Sequence, residues 1–140
     1  MTAKELLEKQ IADVSYQLDK ALEGLLEDQL DYKVVPSALS IREQVEHLCE
    51  VYTAVEAISK GQDHPWGAYT VEDKSWSNLT SLMSSLRANA IAIVTADDED
   101  KTLLRGSAFI VGHDNYHVGQ ICTSRIAQDP TWNPFSIYNH

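Results

Sequence analysis

The sequence has few of the features that mark several common classes of protein. Its two cysteines, Cys49 and Cys122, form no Cys-x-x-Cys pair, so we expect reduced structural thiols rather than a disulfide or a zinc knuckle. Lys and Arg number 11 against 21 Asp and Glu, and the resulting formal charge of -10 repels a phosphate backbone. We therefore expect no nucleic-acid partner.

Long apolar runs are also lacking. No segment approaches the roughly 18 consecutive apolar residues of a membrane span. The first residues carry an early acid, Glu5, and no apolar run of the kind found in signal peptides. These absences predict a cytoplasmic protein without a membrane partner.

The sequence is rich in acidic and apolar residues. The acidic run at residues 97–100 is most simply a solvated surface; it can also bind a cation weakly, but it lacks the longer, glycine-turned pattern of a calcium loop. The 140 residues, 44% of them hydrophobic, supply enough material for a single core. Residues 1–140 are therefore interpreted as one domain.

Hydrophobic periodicity predicts four helices. Apolar residues recur at three- and four-residue steps in residues 3–27, which is typical of an amphipathic helix. Ser40 and Glu43 have the spacing of a capping box, which predicts a second helix from there to about residue 60. Similar patterns predict helices at about 77–96 and 106–128. With no strand pattern and no repeat, the sequence favours an all-α fold, an antiparallel four-helix bundle.

Two segments outside these helices carry aromatic residues. The connection at 61–75 is long enough to be functional, and the aromatic residues in and beside it either anchor it to the core or close over a ligand at one end of the bundle; they are Trp66, Tyr69 and Trp76. His64 in this loop is a poor candidate for a metal ligand. The tail at 129–140 is apolar enough to dock on the bundle or on a second subunit.

The most informative feature is a set of three histidines on helical faces. His113 and His117 are four residues apart, so they stack on one face of the fourth predicted helix. His47 lies in an inward row of the second helix. A pair at this spacing also arises by chance, and a lone inward histidine is commonly a core group bonded to a backbone carbonyl. Three inward histidines together favour a metal centre.

The residues around this trio distinguish between kinds of metal site. A ferritin-like di-iron bundle needs glutamates on two helices and two acid-x-x-His pairs, whereas Asp114 and His117 form the single such pair here. A zincin places Glu directly after its first histidine, but Asp114 stands there. Three imidazoles without an obvious fourth ligand predict a mononuclear site with an open position, where a bound water or thiol has its pKa lowered.

Two motifs resemble those of the DinB/YfiT-like superfamily of bacterial proteins. They are Glu46-His47-Leu48 and His113-x-x-x-His117-x-Gly119-Gln120-Ile121. The most specific part is the Tyr-His-x-Gly-Gln-Ile run that begins at Tyr116. The resemblance spans most of the chain. It implies a four-helix bundle of up-down-down-up topology, a divalent metal on His47, His113 and His117, and a homodimer. Ligand type narrows the metal to zinc or nickel, with iron and manganese as further options.

Characterised members of this superfamily include S-transferases and isomerases that use low-molecular-weight thiols such as bacillithiol or mycothiol. The resemblance thus implies a metal-dependent thiol S-transferase that takes a small-molecule thiol and an electrophilic substrate. The alternatives are a metal-dependent hydrolase, with Asp114 or a loop residue handling protons, and a non-catalytic metal-binding module of a stress response.

Several further side chains are candidates in these schemes. Asp114 and Tyr116 are the candidate catalytic residues. Tyr52 and Tyr116 either orient a substrate or pack in the bundle. Three cations are candidates for an anionic-thiol pocket or, alternatively, ordinary surface charges; they are Arg42, Lys74 and Arg125.

Overall fold

The computed structural model describes residues 1–138, and these residues form helices and no strand. Three helices come first, namely α1 (Ala3–Leu22), α2 (Ile41–Ser59) and α3 (Trp76–Val94). The fourth helix of the bundle consists of α4 (Asp100–Arg105), a π-helical segment (Gly106–Gly112) and α5 (His113–Gln128). Short 3-10 turns lie at Glu27–Gln29 and Pro134–Ile137. The predicted all-α class is confirmed.

The helices enclose one apolar core. α2 packs mainly on α3, and α1 packs on α5 and on the π segment, while α2 also contacts α5. Each helix contributes a stripe of buried side chains at helical spacing, as expected for amphipathic helices around a shared interior. No helix among residues 1–138 is both long and apolar enough to cross a bilayer. The finer up-down-down-up topology stays a prediction.

α1 is five residues shorter than predicted. It begins with a capping box between Thr2 and Glu5 and ends at Leu22, because Glu23 is extended and Gly24 has a φ of +73°, a conformation that favours glycine. The guanidinium of Arg125 donates hydrogen bonds to the carbonyl oxygens of Ala21 and Glu23 at 2.8 and 2.6 Å, so it satisfies groups that the helix end leaves free.

α2 begins at the predicted place with half of the predicted capping box. The Ser40 hydroxyl accepts a hydrogen bond from the Glu43 amide at 3.1 Å. The Glu43 carboxylate, however, accepts from that same hydroxyl at 3.3 Å and not from the Ser40 amide. The helix ends at Ser59, one residue before the predicted end, and the nearby Gly61 has a φ of +73°.

The fourth helix begins at Asp100, six residues before the predicted start at 106. Gly106 is therefore inside the helix, where it permits a close approach to the core: a Cβ atom at this position would lie 2.8 Å from Cδ2 of Leu7 and 3.1 Å from Cβ of Val94. The prediction failed because this glycine resembles a helix boundary in the sequence, although packing is what requires it.

The tail docks on its own bundle. The turn Pro134–Ile137 packs on α1, and Ile137 is buried. The Arg125 guanidinium lies 4.4 Å above the centroid of the Trp132 ring, a cation–π contact that ties the start of the tail to α5. The tail was predicted to dock either on the bundle or on a second subunit, and up to residue 138 it docks on the bundle. Residues 139 and 140 lie outside the described part of the chain.

Candidate metal centre

His47, His113 and His117 come together between α2 and α5. One ring nitrogen of each histidine lies within 4.8 Å of the corresponding nitrogens of the other two. The ring centroids are 5.2 Å apart for His47 and His113, 5.4 Å for His47 and His117, and 4.6 Å for His113 and His117. The three histidines singled out in the sequence therefore form one cluster that can hold a metal ion.

The helix geometry explains how this cluster forms. His113 is the first residue of α5 and His117 lies one turn later, so both rings point from the same face. His47 lies in the middle of α2, a helix that contacts α5. His117 is buried, whereas His47 and His113 are half-buried, so the cluster is closed towards the core and reachable from the other side.

Gln44 fixes the orientation of His117. Its Oε1 lies 3.0 Å from Nδ1 of His117, while its amide nitrogen donates to the carbonyl of Leu39 at 3.4 Å. Since the amide oxygen is the atom that faces the ring, Nδ1 of His117 must carry the proton and donate. The lone pair then lies on Nε2, which is buried and has no hydrogen-bond partner.

Both α5 histidines are held in the neutral form. Burial, and then the nearby His47, lowers the pKa of His113 to about 4. Burial lowers the pKa of His117 to about 3, and His113 and His47 add to the effect. A metal ligand must be unprotonated, so these rings can bind a cation without first losing a proton at neutral pH.

The unpartnered nitrogens fit a divalent metal ion. Buried polar atoms in proteins nearly always have a hydrogen-bond partner, yet Nε2 of His117 and Nδ1 of His113 have none. Nitrogens that share one zinc ion are at most about 4 Å apart, so the 4.8 Å spread closes with small ring movements. The donor set of three imidazoles suits zinc, nickel, iron or copper better than calcium or magnesium.

A second group of polar residues, not anticipated from the sequence, surrounds His47. The buried carboxylate of Glu50 lies 3.7 Å from Nδ1 of His47 through Oε2. Its Oε1 accepts from the Gly67 amide at 2.9 Å and lies 3.0 Å from Nε2 of His64. Burial alone would raise the pKa of Glu50, but these hydrogen bonds and the two histidines outweigh it and lower the pKa. Glu50 thus joins His47 to the 61–75 loop.

The 61–75 loop makes a second set of polar contacts with α2, at Glu46. The Val71 amide donates to Glu46 Oε2 at 3.0 Å, and Lys74 pairs with the same carboxylate at 3.4 Å. Trp66 stays half exposed with its ring 4.6 Å from that of His64, whereas Tyr69 and Trp76 pack against the core. His64 therefore serves the loop anchor and lies outside the histidine cluster.

Asp114 is fully buried in a network that joins four helices. Its Oδ1 accepts from the Tyr52 hydroxyl at 2.7 Å, and its Oδ2 accepts from Nε and Nη2 of Arg87 at 3.0 and 2.9 Å. Nη1 of Arg87 donates to the Ser15 hydroxyl at 2.7 Å. Burial raises the pKa of Asp114, and Arg87 and Tyr52 oppose that rise. Both carboxylate oxygens are thus committed, and the catalytic role stays a prediction.

Tyr116 lies at the edge of the cluster and is 60% exposed. Its ring centroid is 5.1 Å from that of His117 at an interplanar angle of 86°. Its hydroxyl accepts from the side-chain amide of Gln120 at 2.6 Å. Tyr116 is therefore placed where a molecule approaching His117 can touch it, unlike Tyr52, which is buried in the Asp114 network.

The three cations considered for a thiol pocket have partners within the bundle. Arg42 pairs with Glu27 and Asp31 and donates to the Lys74 carbonyl. Lys74 pairs with Glu46, and Arg125 closes the end of α1. The cysteines are free and buried, and burial raises the pKa of Cys49 to about 12, as expected for inert structural thiols.

Three functional neighbours of the cluster were missed by the sequence analysis, and two of them leave a signal in the helical pattern. Gln44 lies three residues after Ile41 and four before Leu48, so it belongs to the inward row of α2. Arg87 occupies an inward position of α3, four residues after Met83. Polar residues at such positions need buried partners, and a search for them would have found both. Glu50 is harder to identify, because its partners lie in a loop.

Comparisons of the chain with protein-family models, with curated proteins and with solved structures find no match. The resemblance to the DinB/YfiT-like superfamily therefore stays a prediction, carried by residues 46–48 and 113–121.

Proposed function

We propose that the protein binds one divalent metal ion on His47, His113 and His117 and is a metal-dependent thiol S-transferase. The observation that carries this proposal is the pair of buried, unpartnered imidazole nitrogens in a cluster of three histidines. Three protein ligands leave an open position, which is typical of catalytic rather than structural sites. A divalent ion held there supplies Lewis acidity, which lowers the pKa of a thiol or water in that position.

The charge of the site favours an anionic ligand. The imidazoles of His113 and His117 carry no charge at neutral pH, since burial lowers the pKa of both. The positive charge of the ion would therefore not be neutralised by the protein residues that hold it. An anion such as a thiolate restores the balance without a cationic side chain beside it, which is consistent with the bundle contacts of Arg42, Lys74 and Arg125.

The neighbouring carboxylates favour a thiol over water as the nucleophile. Asp114 has both oxygens occupied by Tyr52 and Arg87, and Glu50 is held by Gly67, His64 and His47. Neither is a free general base. A thiol, whose unperturbed pKa is about 8.5, needs less help to ionise than water, whose pKa is about 15.7. The sulfur would then form a bond to the electrophilic atom of the substrate, the leaving group on that atom would depart with the electron pair of the bond that breaks, and the thiol proton would be released to solvent.

Elemental analysis of the untagged protein tests the metal site. We expect about one metal ion per chain in the wild type and none in His47→Ala, His113→Ala or His117→Ala, with much of the helix content preserved because the apolar core is formed by other side chains. His64→Ala is the matched control, since His64 is outside the cluster. Unchanged metal stoichiometry in His117→Ala would contradict the ligand assignment.

A second experiment separates thiol chemistry from metal binding. The cobalt-substituted protein is titrated with 2-mercaptoethanol, and we expect a sulfur-to-cobalt charge-transfer band that saturates. A spectrum that stays unchanged would overturn the S-transferase proposal and leave the metal site standing. The homodimer implied by the resemblance also stays a prediction, which sedimentation equilibrium checks.

A further inference from the structure

A cavity of about 450 Å³ lies between the 34–39 segment and α5. Its outer wall consists of the aliphatic side chains of Val34, Val35, Ala38 and Leu39. Val34, Val35 and Leu39 are 41%, 51% and 41% exposed, so this wall is open to solvent and not covered by the core. The volume falls within the range of small-molecule sites, about 300–1,000 Å³.

The inner wall adds hydrogen-bonding groups without charge. On α5 it comprises Tyr116, Gly119, Gln120, Thr123 and Ser124. Among the described residues that line the cavity there is no carboxylate, ammonium, guanidinium or imidazole. An ionic ligand would lose hydration on entering such a site and gain no counter-charge, whereas an uncharged molecule would lose little and gain apolar contacts.

Two residues of this cavity also belong to the surroundings of the histidine cluster. Gln44 lines the cavity and accepts the hydrogen bond of His117 at 3.0 Å. Tyr116 lines it as well, and its ring lies edge-on to that of His117. No histidine among residues 1–138 lines the cavity, so a molecule inside it is adjacent to the cluster and separated from it by these two side chains.

We propose that this cavity binds an uncharged, largely apolar small molecule, and that Gln44 and Tyr116 form the wall it shares with the histidine cluster. The proposal goes beyond the proposed function and does not depend on it, because the cavity has its own lining, which includes none of the three clustered histidines. The aliphatic wall and the exposed Tyr116 ring hold the apolar body, and the amide and hydroxyl groups of α5 orient one polar atom.

Two dyes of nearly the same shape test the charge preference. N-phenyl-1-naphthylamine is uncharged, whereas 8-anilinonaphthalene-1-sulfonate carries a sulfonate on the same ring system. We expect the neutral dye to bind the full-length protein saturably at one site with increased fluorescence, and the anionic dye to bind at least about tenfold more weakly. Equal affinity, or no binding of the neutral dye, would overturn the proposal.

A variant on α5 locates the binding site. A Cβ atom at Gly119 would meet nothing within 4 Å, so Gly119→Leu adds its side chain to open space within the cavity. We expect it to abolish binding of the neutral dye, whereas Ala127→Leu, at an exposed position of the same helix, leaves binding unchanged. Thr123→Trp, at an exposed position lining the cavity, is the second blocking variant if Gly119→Leu loses helix content.

The contact with the histidine cluster has its own readout in the metal-free protein. Because Gln44 binds Nδ1 of His117, we expect the neutral dye to shift the imidazole ¹⁵N resonances of His117 and leave those of His64 in place. Dye binding without a shift at His117 would refute the shared wall.

A dimer that covers the cavity is a separate outcome. If the neutral dye binds only after dilution has dissociated a dimer, a second copy of the chain covers the cavity, and the small-molecule assignment is overturned. Metal content measured on the same preparations separates these outcomes from failure of the metal site.

Discussion

The hydrogen bond between Gln44 and His117 provides a direct test of how the cluster is prepared for a metal. In Gln44→Leu, Nδ1 of His117 loses its acceptor at 3.0 Å, and a buried N–H without a partner costs about 1–3 kcal/mol. In the metal-free variant a proton on Nε2 would have no acceptor either, so nothing fixes the tautomer or the orientation of the His117 ring. Metal binding must then select both while leaving the Nδ1–H unpartnered, so we expect the penalty to fall on affinity.

The expected loss is about 10–100-fold in metal affinity, the usual effect of removing a group that orients a histidine ligand. This corresponds to about 1.4–2.7 kcal/mol, close to the cost of the unpartnered N–H. Competition between the protein and a zinc-chelating dye measures the change. Gln120→Leu is the matched control, because Gln120 lines the same cavity but bonds to Tyr116 and not to a histidine.

Equal zinc affinities for the two variants would refute this reasoning. The tautomer of His117 would then be set by something other than Gln44. Gln44→Glu sharpens the test, since a carboxylate at this position accepts the Nδ1 proton more strongly and should raise the affinity. A loss of affinity in Gln44→Glu as large as that in Gln44→Leu would likewise contradict the assignment.

Two further predictions concern the metal-free protein. Asp114→Asn leaves the buried Arg87 guanidinium without its counter-charge, so we expect the free energy of unfolding in urea to fall by about 3–5 kcal/mol. The control is Asp13→Asn at an exposed position, which should change this free energy by less than about 0.5 kcal/mol. A small loss in Asp114→Asn would show that the network contributes little to stability. The folded state keeps His113 and His117 neutral, whereas the unfolded chain protonates them near pH 6.5, so proton binding favours the unfolded state. The free energy of unfolding should therefore fall as the pH drops below about 6.5 and level off near pH 4 to 3. The decrease between pH 6.5 and 5, measured by urea titration, should be smaller in His117→Gln, and an identical decrease would contradict the lowered pKa.

The helices were predictable from the sequence because their apolar stripes are regular. Leu7, Ile11, Val14 and Leu18 recur at helical steps, and all four are buried. The errors occur where backbone conformation or packing overrides the pattern. Leu22 ends α1 although Leu25 continues the spacing, because Glu23 and Gly24 leave the helical conformation.

The histidine cluster was predictable for a similar reason. His113 and His117 are related by one turn of a single helix, and His47 lies on an inward row of another. What could not be derived is how each ring is held. The partner of His117 is on α2, and Glu50 beside His47 is held by an amide from a loop, so both depend on tertiary contacts that no local pattern encodes.

The π-helical segment before His113 has a consequence for how the chain length specifies the site. A π segment places more residues in a turn than an α-helix does, so it sets the rotation of α5 relative to α4. If the same seven residues of Gly106–Gly112 were wound as an α-helix, α5 would turn by about 100°, the rotation of one residue. His113 and His117 would then leave His47, although every ligand would still be present in the sequence. The π winding, which accommodates the extra residue of this segment, is therefore as necessary to the cluster as the identity of its histidines.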